Sequence, residues 1–361
     1  LSERNSSAVR AVSSSVMPAT GSSSSSSLGS CISNMPISSH CFCPWLKVPA
    51  KRLTLSVRWM VPNNSASRSL CAESRAKNIE GITPLISSND TFYRIDTALQ
   101  VPIIDAESWS LRITGMVERE VTVSFAELLA LPLTEHAVTL MCVSNEVGGT
   151  LMGTARWLGV RLDDLLSRSQ DGFTASTPLD VLLEEDRTSL LAVGMNGEPL
   201  PLQHGYPVRM VVPGLYGYVS ATKWVVELKL TRFADETAYW TDRGWSDRGP
   251  VKTSSRIDVP RSGARVPAGR VAIAGVAWAQ HRGIQTMEVR VDGGAWQRAS
   301  LAEAISADTW RQWVFEWDAT SGNHIVEARA TDSAGDVQSG TQVPVIPNGA
   351  EGYHAITVTV G

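Results

Sequence analysis

A chain of 361 residues with 43% hydrophobic and 19% charged residues and a mean hydropathy of -0.04 is long enough for two packed domains. Its formal net charge of -4 and pI near 5.9 argue against nucleic acid or an anionic membrane as partner, because both call for a broad basic surface. No apolar run of about 18 or more residues is visible, nor a charged start with an apolar core and a small-residue cleavage site, so the sequence shows neither anchor nor signal peptide.

In chain order, residues 1–80 are serine-rich, as in "SSSVMPATGSSSSSSLGSCISNMPISS", and read as a disordered tail because neither helical nor strand periodicity is sustained. Cys31, Cys41, Cys43 and Cys71 lie in it, which leaves Cys142 alone in the folded part with no disulfide partner there. The "HCFC" starting at His40 has no second cluster at zinc-finger spacing and is not read as a metal site. From Gly81 the character changes. "SLRITGMVEREVTVS" alternates like a strand pair, and in "SFAELLALP" Ser124 and Glu127 are placed as a capping box before a short helix. A second helix is expected in "RLDDLLSRS". "TSLLAVGMNGEPL" reads as a strand entering a turn at Asn196 and Gly197, with "YPVRMVVPG" and "TKWVVELKLTRF" as further strands. Residues 81–250 therefore read as an α+β domain. Residues 251–268 are rich in Pro, Gly, Ser and charge and read as a linker. Over residues 269–361 the pattern is purely β: "VAIAGVAWA", then "MEVRV" and "AWQRAS" around an Asp292-Gly293-Gly294 turn, then "WRQWVFEWDA", "HIVEARATD" and "HAITVTV". That spacing predicts an immunoglobulin-like β-sandwich.

Cys142 lies in "TLMCVSNEVGG", an apolar run broken at once by polar and glycine residues. In its plainest reading a lone cysteine in a strand is a small hydrophobe. A cysteine nucleophile would need a histidine base; His136 and His204 are available, and no spacing ties either to it. A thiolate on a soft transition metal needs only one protein sulfur when a cofactor brings the other ligands.

"MCVSN" followed by "GTARWLGVRLDDLL" resembles the molybdenum-cofactor domain of the sulfite oxidase family, in its bacterial sulfite oxidase-like branch. "NDTFYRIDTALQVP" is similar to that family's opening segment, "AVGMNGEPLPLQHGYPVRMVVPGLYGYVSATKWV" to its pterin-cradling segment, and "YWTDRGWSDRGP" to the stretch closing the domain. The resemblance covers most of the chain from Gly81 onward and implies an α+β molybdopterin-binding domain followed by an immunoglobulin-like dimerisation domain. It implies molybdenum held by a molybdopterin, with Cys142 as the metal-binding thiolate. His204 and Arg209 match residues that hold the pterin and its phosphate, a role that suits the planar fork of a guanidinium. Ser220, Thr222 and Lys223 match the pterin- or phosphate-facing loop, and Asn89, Tyr93 and Arg94 fall where the family contacts the pterin. Trp157 matches a tryptophan near the substrate pocket, and Trp245 stands where the family has its active-site tyrosine.

Other positions depart from the pattern. Sulfite oxidases continue the cysteine motif as N-R-R, whereas Asn145 is followed here by Glu146 and Val147, and Ile95 stands where their opening segment has a second arginine. A doubly charged oxyanion without paired cations binds poorly in a partly dry pocket, so sulfite is not the expected substrate, unless Arg243, Arg248 or Lys252 restores the charge. The expected reaction is two-electron oxygen-atom transfer on a small-molecule substrate, with reduction of sulfoxide or N-oxide substrates, true sulfite dehydrogenation, and an empty assembly module as alternatives. No heme, flavin or iron–sulfur segment is visible, so electrons are expected to pass to a separate partner, a cytochrome or quinone-linked protein. The resemblance further implies a homodimer and an extracytoplasmic or membrane-associated setting.

Overall fold

The computed structural model of the chain describes residues 7–13, 79–96, 100–162 and 175–361. The strands of the first half are β1 (Ser7–Ser13), β2 (Ser110–Gly115), β3 (Val121–Ser124), β4 (Leu133–Met141), β5 (Met152–Arg161), β6 (Ala175–Pro178), β7 (Leu190–Met195), β8 (Glu198–Pro199), β9 (Arg209–Val211) and β10 (Val225–Arg232). Those of the second half are β11 (Ser254–Val259), β12 (Ala264–Val266), β13 (Gly269–Trp278), β14 (Ile284–Val291), β15 (Gln297–Arg298), β16 (Ser300–Leu301), β17 (Arg311–Ala319), β18 (Gly322–Asp332) and β19 (His354–Val360). The helices α1 (Phe125–Leu129), α2 (Leu179–Leu182) and α3 (Gly217–Ser220) are short, so the described chain is mostly β and the α+β expectation holds only loosely. The helix expected in "RLDDLLSRS" lies almost wholly outside the described residues, as does "HCFC".

Local chemistry explains the elements the sequence announces. At α1 the Glu127 amide donates to Ser124 Oγ at 3.3 Å, and the Ser124 amide donates to Glu127 Oε2 at 2.8 Å, closing the capping box. Pro132 follows just beyond and cannot extend the helix. Between β7 and β8, Asn196 and Gly197 take φ of 54° and 84°, the left-handed pair that an Asn-Gly hairpin turn requires. Asp292 and Gly293, at 52° and 70°, do the same after β14.

Four sheets result. The first has the order β3-β2-β10-β1-β6, with β10 parallel to β2 and β1 antiparallel to both its neighbours. Its inner position makes β1 a correction to the disordered-tail reading: all seven residues of "SAVRAVS" pair with β10 and three of them with β6, a pairing invisible within a serine-rich stretch. Leu111, Ile113 and Leu228 of this sheet are fully buried with Leu128 of α1. Each such side chain contributes about 1.5–3 kcal/mol through burial. The second sheet, β4-β5-β7-β8 with β9 on β7, carries the functional loops.

In the second half, sheets β11-β13-β17-β16 and β12-β19-β18-β14-β15 enclose one core that includes Ile273, Met287, Trp313, Val326 and Val358. β11 and β12 occupy the segment expected to be a linker, a second correction. The polar composition there is structural: buried Arg256 is neutralised by Asp258 at 2.6 Å, and the buried Ser255 hydroxyl donates to Gln338 at 2.8 Å. A separate apolar cluster of Met141, Val143, Met152, Tyr216, Val251, Val276, Trp278 and Trp310 joins the two halves and surrounds the chain on both sides of Cys142.

Candidate active site

Cys142 leaves the end of β4 and opens the loop that returns as β5, directly after the paired residues Met141 and Met152. The loop is rigid for identifiable reasons. The Cys142 amide donates to Leu151 O at 2.9 Å, the Asn145 amide closes a turn onto Cys142 O at 3.1 Å, and the buried Asn145 carboxamide accepts from the Leu151 amide at 2.6 Å. A side chain at Gly149 would place its Cβ 2.7 Å from Asn145 Oδ1, so "NEVGG" needs its second glycine for close approach. Cys142 is a free, half-buried thiol, and its Sγ lies 2.9 Å from Ser144 Oγ.

The pterin-segment residues gather on the neighbouring loops. His204 is buried, donates from Nε2 to Asn89 O at 2.7 Å and has no partner at Nδ1. Burial pushes its pKa down to about 4, against the pull of the Asn89 carbonyl, so it is a neutral ring at neutral pH with an open acceptor. Arg209 is 3% exposed and lies 4.9 Å over the Trp157 ring. Among the described residues it donates to the carbonyls of His204 at 3.1 Å and Ala221 at 3.2 Å, and its Nε is unpartnered. Burial lowers its pKa to about 10, which still leaves it charged at neutral pH. Lys223 donates to Asp96 and to Gln203 O at 3.0 Å; burial and then Arg209 bring its pKa down to about 8. Arg94 is also bonded to Asp96. Three cations thus face one carboxylate, a surplus of two positive charges. Buried Thr222 adds an unpartnered hydroxyl. Gly205, at φ 112°, lets the loop close: a Cβ there would sit 3.0 Å from Lys223 Cα and Arg209 Cβ.

The unpartnered Arg209 Nε and Thr222 hydroxyl, beside Lys223, are donors of the kind a buried phosphate group takes, while the open Nδ1 of His204 is an acceptor suited to an N–H of a pterin. The donor set therefore fits a molybdopterin, and the half-buried Cys142 thiol fits a soft metal.

Tyr93 stacks on Phe92 at 5.3 Å, and its hydroxyl would be 3.2 Å from a Cβ at Gly217, close to the Met141 carbonyl that precedes Cys142. Burial, then the Cys142 charge, hold its pKa far above the usual phenol. Trp245 packs against Tyr218 at 6.2 Å, on the apolar cluster containing Met141 and Val143.

Several expected residues have other work. Trp157 is fully buried, with its indole N–H directed at Val138 O and Arg209 on its face, so it floors the cation. The Ser220 hydroxyl donates within its own turn, to Leu215 O at 3.0 Å and Tyr216 O at 3.1 Å. The Asn89 side chain is spent on Asn196 and Glu198, and only its carbonyl serves the site, through His204. Ile95 is exposed. Of the cations proposed to replace the lost arginines, Arg243 lies over Tyr239 at 3.6 Å, Arg248 faces Asp180 at 3.7 Å, and Lys252 is bound to Glu351 at 2.5 Å and Gly349 O at 3.0 Å. Asp96, Ser144 and Tyr216 were missed. The first was readable as an acid two residues from Arg94, whereas Tyr216, whose pKa is pushed up to about 12 by burial, has no local signal.

Residues 98–240 match the oxidoreductase molybdopterin binding domain family. The chain is 29% identical over 308 residues to the mitochondrial sulfite oxidase of Macaca fascicularis, covering 68% of this chain and 56% of that protein. The chain thus spans little more than half of that relative's length. It is 33% identical over 166 residues to the uncharacterized oxidoreductase YuiH of Bacillus subtilis, covering 42% of this chain and 80% of YuiH. The crystal structure of the sulfane dehydrogenase SoxCD from Paracoccus pantotrophus shares the fold, with a TM-score of 0.64 at 21% identity over 77% of this chain and 82% of that one. The matched residues include Cys142, His204, Arg209 and Lys223, and the chain belongs to the sulfite oxidase family of molybdopterin-dependent oxidoreductases.

Proposed function

We propose that the chain catalyses two-electron oxygen-atom transfer with Cys142 as the protein ligand to molybdenum, and that its substrate is not the sulfite dianion. When bound, the cofactor supplies the metal couple at which an oxygen atom is exchanged between substrate and water. The observation that carries this reading is the buried Arg209 and half-buried Lys223 beside the open polar atoms of His204 and Thr222. Arg209 and Lys223 hold the pterin phosphate, neutral His204 accepts a hydrogen bond from the pterin, and Trp157 fixes the guanidinium plane. Tyr93 and Trp245 line the approach to Cys142 and limit water there.

Against sulfite stands the charge next to the motif: Glu146 and Val147 replace a pair of arginines, and Arg243, Arg248 and Lys252 are engaged elsewhere. An uncharged acceptor of the sulfoxide or N-oxide type needs no such cations. Its reduction takes up two electrons and two protons and releases the oxygen as water, the electrons arriving from a separate redox protein. We assign residues 81–250 to the cofactor domain and the strands from β11 onward to an immunoglobulin-like sandwich that pairs two copies; its two facing sheets around one core support that assignment.

The test is elemental and pterin analysis of protein expressed in a host that makes the cofactor, followed by turnover with sulfite and with sulfoxides. One molybdenum per chain is expected, with Cys142→Ser keeping fold and pterin but losing turnover by at least 100-fold. Molybdenum far below one per chain, or a Cys142→Ser variant near wild-type activity, overturns the proposal; efficient sulfite oxidation overturns its substrate part.

A further inference from the structure

We infer that Ser144 is a positioning residue that donates a hydrogen bond to the Cys142 sulfur and thereby sets the reduction potential of the metal centre. The inference rests on the reading of Cys142 as the molybdenum thiolate. Ser144 Oγ stands 2.9 Å from Cys142 Sγ, a contact at which either atom is able to donate while the sulfur keeps its proton. A metal-bound thiolate has no proton, so the direction becomes fixed: the hydroxyl donates and the sulfur accepts.

The geometry that brings the two together is built into the backbone. Ser144 occupies the third position of the turn closed by the Asn145 amide on Cys142 O at 3.1 Å, which brings the side chains two residues apart to the same side. Asn145 then pins the turn to Leu151, and Gly149 leaves room for that carboxamide. Beyond the loop, the buried Arg256 guanidinium donates to Gly149 O at 2.7 Å. The hydroxyl therefore does not depend on its own flexibility to find the sulfur. Among the described residues it has no other hydrogen-bond partner that would draw it away.

A hydrogen bond withdraws electron density from a thiolate and so lessens its donation to the metal, which favours the reduced state. Removing it makes the centre harder to reduce. The loss matters here because the arginines that would raise the local positive potential are absent from the loop: Glu146 and Val147 follow Asn145 directly. Among the described residues, the serine hydroxyl is the hydrogen-bonding partner the sulfur has.

The experiment compares wild type with Ser144→Ala, Ser144→Thr and Ser144→Val as loaded proteins, reading molybdenum content, midpoint potential by redox titration, and the electron paramagnetic resonance spectrum of the one-electron-reduced metal. Ser144→Ala is expected to retain molybdenum, to show a more negative midpoint potential and to shift the spectrum. Ser144→Thr, which keeps the hydroxyl, is expected to match wild type, while Ser144→Val, of the same shape without it, matches Ala. If Ala fails to load, the Thr and Val pair carries the comparison. A molybdenum-loaded Ala or Val variant with wild-type potential and spectrum overturns the inference while leaving the role of Cys142 intact; wild-type protein without molybdenum removes both.

Discussion

Arg209 shows how a single buried cation can be left poorly compensated by its own protein. A guanidinium at 3% exposure with, among the described residues, two carbonyl partners, no paired carboxylate and an open Nε is costly to bury in the empty protein. Arg209→Met keeps the stem over Trp157 and removes the charge. It is expected to leave the cofactor-free protein as stable as wild type or slightly more so, since replacing a poorly compensated buried ion by an apolar side chain is often neutral or favourable. Charge-assisted hydrogen bonds contribute about 1.5–3 kcal/mol. The same variant should therefore lose tenfold or more in bound pterin, measured as the fluorescent oxidised pterin released per chain. Arg209→Lys should lose nearly as much, because an ammonium cannot offer the planar fork. Equal pterin in all three proteins would mean that the phosphate sits elsewhere.

At the level of elements, the loop between the Leu202–His204 turn and β9 is the one on which cation placement depends. Gly205→Ala forces a side chain into φ 112° and to 3.0 Å from Lys223 and Arg209, so it is expected to cost about 1–3 kcal/mol in urea unfolding and to lower pterin content with it. The contrast with α1 explains what was readable beforehand. The capping box at Ser124 and Glu127, the Asn-Gly turn and the alternation of β18 depend on neighbours within a few residues, and each was visible as a pattern. "HGYPVR" and Cys142 were likewise visible as motifs. What could not be read depends on pairing across long separations. Examples are β1 against β10, Asp96 against Lys223, and Ser255 of β11 against Gln338. The contact of Arg209 with the Trp157 ring was unreadable for the same reason: the residues lie far apart in the sequence.

For the whole molecule, the question is what holds the two halves in one register around the Cys142 loop. Asp308, ahead of β17, answers from the second half: its carboxylate meets His136 of β4 at 2.7 Å and His281, after β13, at 3.2 Å. Nearby, the Thr139 amide donates to Asp308 O at 2.9 Å and the Trp310 amide donates to Thr139 Oγ1 at 2.8 Å. Burial alone would raise the Asp308 pKa, but the hydrogen bonds from both histidines outweigh it and hold the carboxyl at about 2. The hydrogen bond to Asp308 raises the His281 pKa, opposed by burial and Arg187 and helped by Asp186; Glu184 and Asp186 also face its Nε2 at 3.7 and 3.6 Å. The two signs define a window. A depressed carboxyl contributes stability that is present above its ordinary value of 3.8 and lost as pH falls toward 2, while a raised histidine contributes stability that is full below 6.5 and lost as pH rises through its folded value. The clasp is therefore strongest between about pH 4 and 6.5. Removing one member of a buried charged set costs about 3 kcal/mol. Asp308→Asn should accordingly destabilise by about that amount at pH 5 in urea titrations, and by less at pH 9, on the high side of that window. Because the clasp joins the halves, the variant should also separate the unfolding transitions seen by tryptophan fluorescence and by far-ultraviolet circular dichroism at pH 5. An equal cost at both pH values would show that Asp308 acts through its backbone contacts with Thr139, and that the histidines are bystanders at the interface.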